Sequence, residues 1–185
     1  ENPSGKLTQT WPMNISDYPS FDVWGEVTAE YREGIYVGYR YFDKAGISVR
    51  RPFGFGLSYT SFLYSDLKID GFDVSFTIRN VGDRKGAEVV QVYIQNPHEG
   101  VYRCKRELRD FVRIELDKGE EKRVSITLNE RDFSIYDKGW RKIGGRYLVE
   151  IASSLTDIRL SGEIHTDGEA LPDSVIGVPS WYKNP

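Results

Sequence analysis

The stretch "FDVSFTIR", residues 72–79, alternates without a break. Phe72, Val74, Phe76 and Ile78 fall on one side of an extended chain, and Asp73, Ser75, Thr77 and Arg79 on the other. Successive side chains of a strand point to opposite faces, so the pattern leaves one apolar face to bury and excludes an amphipathic helix. It recurs in "AEVVQVYIQ" (Val90, Val92, Ile94), "KRVSITLN" (Val124, Ile126, Leu128) and "RYLVEIAS" (Tyr147, Val149, Ile151). "FLYSDLKI", "RDFVRIEL", "DFSIYD" and "DIRLSGEIH" bring the total to about eight short strands. Turn-forming Asp-Gly, Lys-Gly and Gly-Gly pairs separate many of them. One apolar face per strand predicts a sandwich of two antiparallel sheets over residues 62–166. Its core is expected to hold Phe72, Val74, Phe76, Val90, Val92, Ile94, Val124, Ile126, Tyr147 and Val149. One helical turn is allowed at "NERDF".

Residues 1–61 lack this regularity. Pro3, Pro12 and Pro19 interrupt the start, and "EGIYVGYRYFD" (33–43) reads as a strand carrying tyrosines. Next comes "RPFGFGLSYT" (51–60), where Phe53, Phe55, Leu57 and Tyr59 sit on a segment with two glycines and a proline. Gly54 and Gly56 disfavour both a helix and a central strand. The glycines are expected to give a left-handed backbone or a close approach, and the aromatics to fill a seam. The end, residues 167–185, is rich in Pro and Gly and reads as an exit linker.

Net charge is −3, which makes no electrostatic case for nucleic acid. No apolar run reaches the roughly 20 residues of a membrane-spanning helix. Cys104 is the single cysteine and fits a reducing cytoplasm or a secreted chain alike. Arg103, Lys105 and Arg106 beside it favour a thiolate if the sulfur is exposed. His98 and His165 are too few for a zinc cluster, so no metal or other cofactor is expected.

Several motifs together carry a family resemblance. "EGIYVGYRYFD", followed by "FGFGLSYTSF" (53–62), resembles the junction in family 3 glycoside hydrolases, the β-glucosidase group, where an α/β domain runs into a fibronectin type III-like domain. "GKLTQTWP" (5–12) is similar to the last piece of that α/β domain. "RNVGDRKGAEVVQVYI", "KRELRDFVRIELDKGE", "LNERDFSIYD" and "GGRYLVEIASSLTDIRLSG" are similar to successive segments of the fibronectin-like domain. The resemblance implies an all-β, fibronectin type III/immunoglobulin-like sandwich at 62–166, the tail of an α/β domain and a connector at 1–61, and an exit linker at 167–185.

In that family two carboxylates on other domains cleave the glycosidic bond with retention, releasing a terminal β-linked sugar, with glucose the leading expectation. Retention needs two carboxyls roughly 5–5.5 Å apart. The family's catalytic motifs do not occur here in their context, so no catalytic residue is expected in this chain. Asp17, Asp22, Glu26, Glu30 and Glu33 cluster in sequence but read as capping and surface groups. The resemblance implies a non-catalytic structural portion whose partners are the remaining catalytic domains of the parent, with carbohydrate reached only through them. Tyr36, Tyr39, Tyr41, Phe53, Phe55 and Tyr59 are the expected domain-docking residues, and an uncovered seam implies weak homodimerisation. The rival readings are a carbohydrate-binding module and an adhesion module. Among Trp11, Trp24, Trp140 and Trp181, Trp24 is the leading candidate sugar platform.

Overall fold

The computed structural model describes residues 1–21, 33–98 and 102–172. Eleven strands and one α-helix appear there in chain order: β1 (Trp11–Pro12), α1 (Tyr39–Ala45), β2 (Val49–Arg51), β3 (Phe62–Asp70), β4 (Asp73–Asn80), β5 (Gly86–Gln95), β6 (Arg106–Leu116), β7 (Glu121–Thr127), β8 (Ser134–Tyr136), β9 (Trp140–Lys142), β10 (Gly145–Ser154) and β11 (Asp157–Thr166). Seven of them make the sandwich. β3, β4 and β7 form one antiparallel sheet, and β11, β10, β5 and β6 form the other, in those spatial orders.

Register follows the alternation. Val74 lies opposite Ile126 and Phe76 opposite Val124 in the first sheet. Ile94 lies opposite Val149 and Val92 opposite Ile151 in the second. These residues, with Ile78, Val90, Tyr147 and Ile164, form one buried core between the sheets. Nine of the ten expected core residues are buried; Phe72 is half-buried, stacked on Phe133 at the rim with ring centroids 5.0 Å apart.

Two expectations are corrected. "DFSIYD" is not a sandwich strand: β8 pairs only with β9, in a small hairpin beside the sandwich. Three residues of alternation are too few to bury a sheet face, and a 3₁₀ turn at Glu130–Phe133, capped by Asn129, sets this segment aside. The tyrosine-bearing stretch is likewise not a strand. Residues 39–45 are helical, bounded by Gly38 and by Gly46, whose φ of 68° ends the helix in the left-handed region. Phe42 is the side chain this short helix buries.

The hydroxyl of Tyr147, on β10, donates to the carbonyl of Ile143, four residues upstream, at 2.9 Å and to that of Phe133 at 3.4 Å. A tyrosine that ties its own strand to the preceding corner is a recurrent brace of such sandwiches. Tyr147→Phe is expected to cost about 1 kcal/mol in urea unfolding while leaving the fold intact, because the ring keeps its packing and only hydrogen bonds go.

The first residues after β11 run along the β8–β9 hairpin. Glu169 bridges Ile143 in parallel, and its carboxylate accepts from Arg141 at 2.6 Å.

Candidate domain-docking site

A half-buried strand should keep one wet face, but β5 is buried on both. Its inner residues enter the core. Its outer residues, Gln91 and Tyr93, are covered by α1 and the glycine-aromatic connector. Tyr39 and Phe53 lie on Tyr93, Ala152 and Leu155, and the Tyr39 ring stands 4.8 Å from Phe53 and 6.3 Å from Tyr93, centroid to centroid.

Backbone hydrogen bonds knit the connector in place. Leu7 donates to the Phe55 carbonyl and Gly54 to that of Leu7, both at 2.8 Å, and Leu155, in the β10–β11 turn, donates to Phe53 at 3.0 Å. Gly54 has φ of +77°, and a Cβ there would fall inside the Gln91 amide. A Cβ at Gly56 would strike the carbonyl of Gly5. Both glycines are therefore required, Gly54 for conformation and space, Gly56 for space.

Polar groups under the connector are paired. The Gln91 amide donates to the carbonyls of Ser153 (2.8 Å) and Gly54 (3.2 Å) and accepts from the Tyr93 hydroxyl at 2.6 Å. The Tyr39 hydroxyl accepts from the Leu108 amide at 2.9 Å. Arg106 of β6 reaches Asp43 on α1 at 3.0 Å and Glu150 on β10 at 2.7 Å, with all three side chains largely buried. Burial raises the Glu150 carboxyl above its ordinary range; Arg106 pulls it down and Asp43 pushes it up. Burial also raises the Tyr39 and Tyr93 phenols and pushes that of Tyr36 to about 12, so all three stay neutral at ordinary pH. They act as hydrogen-bonding wedges, not as acids or bases.

The expected docking residues fall into two groups. Tyr36 is fully buried within this chain, edge-on to Tyr102 with centroids 5.2 Å apart, and Tyr39 and Phe53 close the connector onto the sandwich. Tyr41 and Phe55 are half-buried; Tyr41 is edge-on to Phe42, and Arg51 lies 4.8 Å from the Phe55 ring. Tyr59 and Leu57 are exposed. A second apolar face, which sequence reasoning missed, lies on the N-terminal segment. Trp11, Met13, Ile15 and Val37 are 45–65% exposed. Beside them a cavity of about 350 Å³ is lined by Thr10, Ile15, Tyr18, Phe21, Glu33 and Val37 among others. Four large apolar side chains in one small region exceed the scattered exposure of an ordinary surface.

The other singled-out groups are quiet. Asp17 accepts from the Asn14 amide at 2.7 Å in a capping box, and Glu33 accepts from Ser20 at 3.3 Å. Asp22, Trp24, Glu26, Glu30 and Trp181 lie outside the described residues. Trp140 carries the Arg131 guanidinium 3.6 Å from its ring centroid, which occupies one stacking face. Cys104 is buried, and that burial pushes its thiol to about 12 despite the nearby arginines. It is a neutral donor to the Ile35 carbonyl at 3.6 Å, not a nucleophile.

A model of the fibronectin type III-like domain matches residues 88–155. The chain is 41% identical over 179 residues to thermostable β-glucosidase B of Acetivibrio thermocellus, covering 90% of this chain and 24% of the relative. It is 37% identical over 178 residues to an exo-α-(1→6)-L-arabinopyranosidase of Bifidobacterium breve, covering 91% and 24%. Among solved structures, a family 3 β-glucosidase of Bifidobacterium adolescentis superposes with a TM-score of 0.85 at 39% identity, over 92% of this chain and 27% of that one. β-Glucosidase 3B of Thermotoga neapolitana, in complex with glucose, gives 0.83 at 38%, over 89% and 24%. The chain thus spans about a quarter of the length of the curated relatives it matches.

Proposed function

We propose that this chain, which belongs to the family 3 glycoside hydrolases and carries their fibronectin type III-like region, is a non-catalytic structural portion of a β-glucosidase-like enzyme. Residues 1–61 act as the tail of an α/β domain plus a connector, 62–166 as the fibronectin-like domain and 167–185 as an exit linker. The remaining domains hold the two carboxylates and perform retaining hydrolysis of a terminal β-linked sugar, glucose first among the candidates.

The exposed face of Trp11, Met13, Ile15 and Val37 carries this reading. It lies on the segment assigned to the α/β domain, and burial there stabilises docking at roughly 25 cal/mol per Å² of apolar surface covered. The relatives add support. A β-glucosidase and an arabinopyranosidase match this region at nearly equal identity, 41% and 37%, which fits a part that does not choose the sugar.

The purified chain is expected to give no turnover of an aryl β-glucoside above a buffer control. It should instead self-associate weakly in sedimentation, and Trp11→Ser with Ile15→Ser should suppress that association. Turnover that disappears on changing Asp17, Asp22, Glu26, Glu30 or Glu33 to its amide would overturn the structural reading.

A further inference from the structure

A second cavity, of about 390 Å³, opens where residues 102–104 and the start of β6 meet α1 and the β8–β9 hairpin. Three arginines line it, Arg40, Arg103 and Arg109, against one carboxylate, Glu107. Glu107 is already engaged twice, by Arg109 at 2.7 Å and by Arg40 at 3.3 Å. Arg103 has no acidic partner among the described residues, although it is only 7% exposed. Its Nη1, like Nε of Arg109, is enclosed without a hydrogen-bond partner among the described residues.

An enclosed charge without a counter-charge is costly, and most side chains escape by changing protonation. Arginine does not, since its guanidinium stays charged at any ordinary pH. The neighbouring thiol offers no relief, because Cys104 is held protonated. Among the described residues, no group supplies the charge that would balance the cleft.

We propose that this cleft binds a small oxyanion, a phosphate or carboxylate group carried by a small molecule. The guanidinium fork matches the planar or tetrahedral oxygens of such groups, and charge-assisted bonds of this kind are the stronger ones. The volume lies in the range of about 300–1,000 Å³ usual for small-molecule sites. Tyr136 and Trp140, exposed and edge-on to each other at 5.4 Å, form an aromatic wall beside the arginines. A ligand with an oxyanion head and a ring-bearing body has a place for each part. The site uses none of the docking residues that carry the structural role proposed above, so either reading can fail alone.

Calorimetric titration of the full chain at fixed ionic strength tests this, with inorganic phosphate, glucose 6-phosphate, glucuronate and glucose as probes. Saturable one-to-one binding of at least one oxyanion probe is expected, and none of glucose. Equal affinity for inorganic and sugar-borne phosphate would identify free phosphate as the source. Tighter binding of glucose 6-phosphate or glucuronate would assign the body of the ligand to the aromatic wall. Arg103→Met should weaken binding at least tenfold. Arg109→Gln, at a more accessible position, should weaken it several-fold and carries the test if Arg103→Met fails to fold. Absence of saturable binding by every oxyanion probe, or binding unchanged in Arg109→Gln, overturns the proposal.

Discussion

Gly54→Val is expected to destabilise the chain by about 4 kcal/mol, a large share of the roughly 5–15 kcal/mol that holds a domain folded. Two costs combine. A β-branched residue at φ of +77° is strained by about 1–3 kcal/mol. Its side chain must also displace Gln91, which is 3% exposed and bonded to Ser153, Gly54 and Tyr93. The amide is the end of a flexible side chain, but it has no free space to swing into without leaving buried partners unpaired, at about 1–3 kcal/mol each. Gly71→Ala is the control. Gly71 also has positive φ, +57°, but open space around its Cα, so only the backbone cost applies, about 1 kcal/mol. Urea midpoints of the two variants decide the matter. Equal losses would mean that the Gln91 contact contributes nothing.

What could be read from the sequence divides along the range of the physics. Alternation is local, so the sandwich strands carrying Val74, Phe76, Val124 and Ile126 were legible, with the face that each buries. The helix at Tyr39–Ala45 was not. With seven residues it spans barely two turns, and its tyrosines suit a strand as well as a helix. The local signal for it is its bracketing by Gly38 and Gly46. The second buried face of β5 was half legible. "VVQVYI" and "LVEIA" are near-continuous apolar runs, the mark of strands covered on both sides, with Gln91 and Glu150 as the polar exceptions. That Gln91 serves Gly54, 37 positions away, follows only from three-dimensional packing. The arginine cleft is of the same kind: Arg103 and Arg109 lie six residues apart, but Arg40 comes from α1, and no spacing rule brings it to them.

Arg106→Met is expected to cost about 3–5 kcal/mol near neutral pH, the usual penalty for breaking a buried ion pair from one side. Asp43 and Glu150, 12% and 7% exposed at their side chains, would then face each other with Lys105, 3.9 Å from Asp43, as the nearby cation among the described residues. The loss should depend on pH, and its sign follows from Glu150. Burial already raises that carboxyl in the folded chain. A group whose folded pKa exceeds its unfolded value binds protons more strongly when folded, so stability falls as pH rises from the unfolded pKa to the folded one. Arg106 is what pulls the Glu150 pKa down, whereas Asp43 pushes it up. Removing the arginine therefore widens the gap, and with it the stability lost between acid and neutral pH. Unfolding measured at pH 5 and pH 7.5 should show the variant nearer to the parent at the lower value, where more of Glu150 carries its proton and its burial costs less. Glu150→Gln in the Arg106→Met background should recover part of the loss at pH 7.5 and little at pH 5, since it fixes the neutral form that acid supplies. If the variant loses the same stability at both pH values and Glu150→Gln recovers nothing, the cost is lost packing of the arginine stem, and the link from α1 to β10 is not electrostatic.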